Sequence, residues 1–270
     1  MRAPGIRAIG FLSGWGRGAA ALPLDASRAA GGRPVLAVER PALDPDRFRR
    51  SRRECLLGVT AVGAMLEDAG QGPEAIAGER TALLFATAAA YAPSNREFIE
   101  ARGGSTYFPY TAVAGVPAEV AIEFGLTGPY EILVGGAPAT MRAIARAAVL
   151  LETGACDHAL VLAVEVFEEC ADLFGRLRSP FDAPLVEGAA CLWLEPGEGT
   201  LTFERRRGRE DEGSVRRRIG EMLACEPLAA LALARDSGGL EATRVHGSWR
   251  GETARLEWSR APYRTRPHAA

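Results

Sequence analysis

Residues 128–165 read GPYEILVGGAPATMRAIARAAVLLETGACDHALVLAVE, and the fold class follows from them. The run EILVGG (131–136) is short and apolar and closes on two glycines, the pattern of a strand that breaks into a tight turn. Pro138 then stands where the first turn of a helix has no use for a backbone N–H, so PATMRAIARAAVLLETG reads as a helix. DHALVLAVEVF (157–167) returns to a continuous apolar run and reads as a strand. Strands without polar alternation belong to a sheet covered on both faces, and their alternation with helices predicts a layered α/β domain.

Working outward, the same pattern continues in both directions. Upstream, Arg7–Ser13 and Thr81–Ala90 read as strands. Between them, Cys55, Val59, Val62 and Leu66 recur at helical spacing over Glu54–Asp68, with Gly70 as the stop signal. A polar helix over Ser94–Arg102 is expected to open on a Ser94 cap with Glu97 three residues on, and a short helix ends at Gly125. Downstream, AACLWLEP (189–196) and TLTFERRR (200–207) read as neighbouring strands joined by the turn PGEG. Residues 208–218, GREDEGSVRRR, read as a solvated link or helix start, followed by a helix to about Ala224. A strand over LAALALARD (228–236), two more near Thr243–Ser248 and Ala254–Trp258, and a loose end over 261–270 complete the expectation.

Composition narrows the function classes. A 270-residue chain that is 47% hydrophobic and 24% charged can bury a sizeable core. Its 32 basic residues are all arginine, and the net charge of −2 singles out no polyanionic partner, so nucleic acid is not expected. The apolar runs are too short to span a membrane, and the stretch MRAPGIRAIGFLSGWGRG is too broken for a signal peptide. The five cysteines show no metal-ligand or disulfide spacing, which points to buried thiols in a reducing, cytoplasmic setting. No phosphate loop, nucleophile elbow or zinc motif occurs, and neither a cofactor nor a metal is expected.

In order and spacing, several stretches resemble the amino-terminal half of the β-ketoacyl synthases, which have the thiolase fold. They are RFRRSRRECLLGVTAVGAMLEDAG (47–70), TALLFATA (81–88), the block from Val120 to Glu165, SPFD (179–182) and VEGAACLWLE (186–195). The resemblance implies a layered thiolase-like, ketosynthase-like α/β fold, mostly its N-terminal half, with a mixed sheet and helices on both faces. It also implies a division into a ketosynthase-like half over 1–207 and a divergent or shrunken C-terminal segment over 208–270. In active members the strand after the Gly-Pro pair ends at a cysteine on a helix start, where the thiolate is favoured and takes up the acyl group. Counting from Gly128-Pro129 places Ala137 there, and alanine has no heteroatom to acylate.

Two further departures agree. The family's two histidines belong to its carboxyl-terminal half, and none of His158, His246 and His268 stands in a matching neighbourhood. Between Asp182 and Glu187 only APLV remains of a longer loop. The resemblance therefore implies no condensing activity by the chain alone. It implies instead a subunit of the chain-length-factor type, paired with an active ketosynthase in polyketide or fatty-acid-type (aryl-polyene among them) biosynthesis and shaping its acyl tunnel. An acyl carrier protein would be met through that complex, with Arg47, Arg49, Arg50, Arg52 and Arg53 as candidate docking residues; a solvated helix start is the plainer reading of them. Two alternatives stay open: a homodimeric acyl-binding or regulatory protein, and an acyltransferase with relocated chemistry at Cys170.

Overall fold

A computed structural model describes residues 1–100, 105–172, 183–207, 213–239 and 242–259. In chain order its strands are β1 (Gly5–Ser13), β2 (Gly16–Arg17), β3 (Val35–Leu36), β4 (Thr81–Thr87), β5 (Tyr130–Val134), β6 (His158–Glu165), β7 (Leu185–Val186), β8 (Gly188–Glu195), β9 (Thr200–Arg207), β10 (Ala242–Trp249) and β11 (Glu252–Ser259). The helices are α1 (Ala26–Ala30), α2 (Pro45–Phe48), α3 (Arg53–Ala69), α4 (Ala92–Glu100), α5 (Gly115–Phe124), α6 (Ala137–Glu152), α7 (Gly213–Ile219) and α8 (Glu226–Asp236).

Six strands form one mixed sheet in the order β2-β1-β8-β6-β4-β5. β4 is parallel to both β5 and β6, whereas β8 runs antiparallel to β6 and β1. The central strands β4, β6 and β8 are buried almost throughout because helices cover both faces, which is why they read as unbroken apolar runs. α3 and α5 pack on one face around Leu57, Val62, Phe85 and Leu162. α6 and α8 pack on the other, around Met141, Ile144, Val161 and Leu228. α3 ends where Gly70 takes the left-handed conformation (φ 64°), which lets the Gln71 N–H reach the Leu66 carbonyl at 3.0 Å.

A second, three-stranded sheet in the order β10-β11-β9 lies against the far side of α6. The layers therefore run helix, sheet, helix, sheet. In β11 the buried Ala254, Leu256 and Trp258 alternate with the more exposed Arg255 and Glu257, so one face meets α6 and the other carries charge. Val245, Ala254, Leu256 and Trp258 belong to the same apolar core as α6 and the large sheet.

Four expectations need correction. LAALALARD is part of helix α8 and not a strand: Pro227 opens it, Leu228, Ala229, Leu231 and Ala232 bury one helical face, and the run has no β-branched residue. β8 and β9 are not paired, because β8 is already bonded to β1 on one side and β6 on the other, which sends β9 to the second sheet beside β11. Ser94 is not a cap; α4 starts at Ala92, and the buried Ser94 hydroxyl donates to Glu54 Oε1 at 2.5 Å. The helix expected to reach Ala224 stops at Ile219, and Leu223–Cys225 is a separate 3₁₀ turn. The turn SPFD, residues 208–212 of the charged link, and the chain end from 260 lie outside the described residues. Among the described residues no helix is long and apolar enough to cross a membrane.

Candidate functional site

Ala137 is the first residue of α6, at the carboxyl ends of the parallel strands β4 and β5. The chain reaches it through Gly135, whose φ of +153° and N–H bond to the Thr87 carbonyl at 2.8 Å make the sharp strand-to-helix turn. A helix start presents unpaired N–H groups and the positive end of the dipole, the setting that favours an anion. The methyl of Ala137 is fully buried and has nothing to ionise.

The surroundings of that position come from β10. A Cβ built on Gly247 would stand 2.5 Å from the Ala137 Cβ and 3.3 Å from the Met141 sulfur, so only glycine fits there. Two residues on, Trp249 covers the turn: a Cβ on Gly136 would lie 2.9 Å from its ring atoms Cγ and Cδ2. Trp249 also packs against the apolar cluster of Phe167, Leu185 and Leu223, beside Ala88 and Ala89.

Beneath the turn sits Glu165, the last residue of β6 and completely buried. Its carboxyl accepts N–H groups from Ala88 at 2.6 Å, Ala89 at 2.9 Å and Ala224 at 3.2 Å, and the Thr87 hydroxyl at 3.3 Å. Burial raises its pKa to about 8 against the opposing pull of those donors. The Ala224 carbonyl in turn accepts the buried Thr140 hydroxyl, one turn into α6. Glu165 thus ties the loop after β4 to the 3₁₀ turn that abuts α6. The sequence reading passed over it, although a lone acid closing the run HALVLAVE was the available signal.

The histidines stand away from Ala137. Strand alternation turns His246 to the opposite face of its sheet from Gly247. His158 begins β6, at the other end of the sheet from Ala137, and its Nδ1 accepts the Trp193 indole N–H at 3.2 Å. His268 lies outside the described residues. All five cysteines are buried, and burial pushes the Cys170 thiol up, which suits a structural thiol better than a nucleophile. Among the described residues no cluster of His, Cys, Asp and Glu is grouped to hold a metal ion.

The arginine cluster divides. Arg53 points inward, only 9% exposed, with its guanidinium held by Glu187 at 2.7 Å and by Glu169 at 2.7 Å, so it is a structural residue and not a docking one. The buried Glu187 also accepts the N–H groups of Val38, Phe167 and Glu168. Arg52 pairs with Glu97, and Arg47 with Glu119 and Glu123 while lying over the Phe48 ring at 5.0 Å. Arg49 and Arg50 are exposed. A cavity of about 550 Å³ opens beside Arg52 and Arg53, lined also by Arg40 and Arg96 together with Glu54, Glu97 and Glu169. Among the described residues β5 is an edge strand of the large sheet, with Tyr130 44% and Val134 59% exposed.

Residues 31–178 match the family profile described as β-ketoacyl synthase, N-terminal domain. The chain belongs to the β-ketoacyl synthase family. No curated protein matches it. Among solved structures it is similar to the ishigamide ketosynthase/chain length factor, at 16% identity and TM-score 0.72 over 97% of this chain and 100% of that chain. It is similar, at 14% identity and TM-score 0.77 with the same coverage, to a type II polyketide synthase acyl-carrier protein in complex with its ketosynthase bound to the hexaketide. A ketosynthase in complex with its chain length factor from Xenorhabdus doucetiae matches at 14% identity and TM-score 0.64, over 96% of this chain and 100% of that chain. At these identities the likeness is one of fold: the ketosynthase-like, thiolase-type arrangement with helices on both sides of a mixed sheet. Within that family Ala137 occupies the position that the sequence resemblance gives to the nucleophile.

Proposed function

We propose that the chain is a non-condensing partner of an active ketosynthase, of the chain-length-factor type. The observation that carries this reading is Ala137, a fully buried methyl at the helix start where the family places its acyl-accepting cysteine. Acyl transfer needs a thiolate to attack the thioester carbonyl and expel the carrier thiol, and a methyl can do neither. The partner would supply nucleophile and histidines. The edge of β5, without a further strand beside it among the described residues and with the exposed apolar Tyr130 and Val134 on it, supports strand-to-strand pairing with a second subunit. Two of the similar structures are themselves described as ketosynthase with chain length factor. We assign carrier-protein docking to Arg49 and Arg50, which keep their exposure; Arg47 is engaged by Glu119 and Glu123. We read residues 213–259 as a shrunken second half, since α8 joins α6 in one helical layer and the small sheet closes it.

An acyl-loading experiment tests the reading. Incubated with an acylated carrier protein, the isolated chain should keep its unmodified mass, and in a mixture the acyl mass should appear on the ketosynthase alone. A stable acyl adduct on this chain would overturn it.

A further inference from the structure

We propose that β10 closes the former nucleophile site from within: Trp249 covers the strand-to-helix turn and Gly247 seals the helix start, so this subunit holds no acyl chain at Ala137. The inference deepens the partner-subunit reading and rests on it, because a chain whose own site is packed shut leaves the acyl group to its partner.

Four observations meet at one place. The Ala137 methyl has no solvent contact. Gly247 lies so close that an added Cβ would come within 2.5 Å of it. The Trp249 side chain lies against Gly136, where an added Cβ would come within 3.0 Å of three of its atoms. From there Trp249 reaches the Phe167, Leu185 and Leu223 cluster and the Ala88–Ala89 loop, spanning the ground between the strand ends and the turn. Leu223 itself has φ of +48°, a left-handed conformation that a branched side chain adopts only when its surroundings hold it. Glu165, through Ala224, and Thr140 supply that hold from below. Small residues at 136, 137 and 247 are thus mutually required: each makes room for the strand that covers the site, while Gly135 supplies the turn. Substituting cysteine at 137 would put a thiol behind an indole and against a strand backbone.

The test uses the isolated full-length chain and a thiol reagent, iodoacetamide, with the modified site mapped by mass. The native cysteines are buried, so the background is low. Ala137→Cys should react at position 137 within about threefold of that background, and Ala137→Cys with Trp249→Ala at least about tenfold faster. Trp249→Phe should keep the site slow. Rapid labelling of Ala137→Cys with Trp249 in place, or no acceleration on its removal, overturns the proposal. Should Trp249→Ala fail to fold, a second pair decides: Gly247→Ala should lower the melting temperature, and Ala137→Gly in that background should recover most of the loss. Simple addition of the two losses would contradict the contact. None of these readouts involves a ketosynthase. A chain that passes them and still binds no ketosynthase defeats the partner reading alone, and an open site in a chain that does bind one defeats the plug alone.

Discussion

Glu165 and Arg53 show how single residues in this chain hold segments that no periodicity connects. Arg53 joins the start of α3 to Glu169 and to Glu187 between β7 and β8, which is why the last of five arginines in a surface-looking run is buried. Nothing in RFRRSRR distinguishes it from its neighbours except its place at the first turn of α3. Glu165 is the more testable. Because its pKa rises from the ordinary glutamate value of 4.5 to about 8, the folded state retains a proton that the unfolded chain releases. The associated stability is fully present below the unfolded value and is lost as pH rises toward 8. The unfolding free energy from urea titrations between pH 5 and 8.5 should therefore fall more steeply for the native chain than for Glu165→Gln, by up to about a few kcal/mol. Parallel curves would contradict this account of the carboxyl.

At the scale of elements, the central strands and α3, α5 and α6 were legible because burial on both faces leaves a signature in the sequence itself. The apolar runs, Gly70 and Gly125 as stops, and Pro138 as a start each report a local constraint. What the sequence did not carry was partnership. β9 reads as the second arm of a hairpin until the pairing of β8 on both sides is known, and an Ala-Leu run reads as a strand or a helix until packing chooses. The edge of β5 is an element-level claim of the same kind. Val134→Asp changes an exposed side chain, so it should leave the chain's own stability within about 0.5 kcal/mol. It should weaken association with a ketosynthase at least about tenfold, since it puts a charge into the expected strand pairing. Unchanged association in an equilibrium sedimentation titration would move the interface elsewhere.

Over the whole molecule, the proposed loss of the nucleophile stands beside a retained layered architecture. The large sheet and its helices keep the family's arrangement, while a three-stranded sheet takes the far side of α6 and turns a charged face outward. That an alanine stands at position 137, at the turn into a helix, was readable from the sequence after Gly128-Pro129. The covering of that position was not, because Gly247 and Trp249 lie more than a hundred residues away and meet it only through the second sheet. The most direct test of the central claim is co-expression with a cognate ketosynthase, followed by native mass determination of the purified complex and assay of its product. A one-to-one complex that forms product only when both chains are present is the expected result. A chain that stays apart from the ketosynthase, with the ketosynthase making the same product alone, would contradict it.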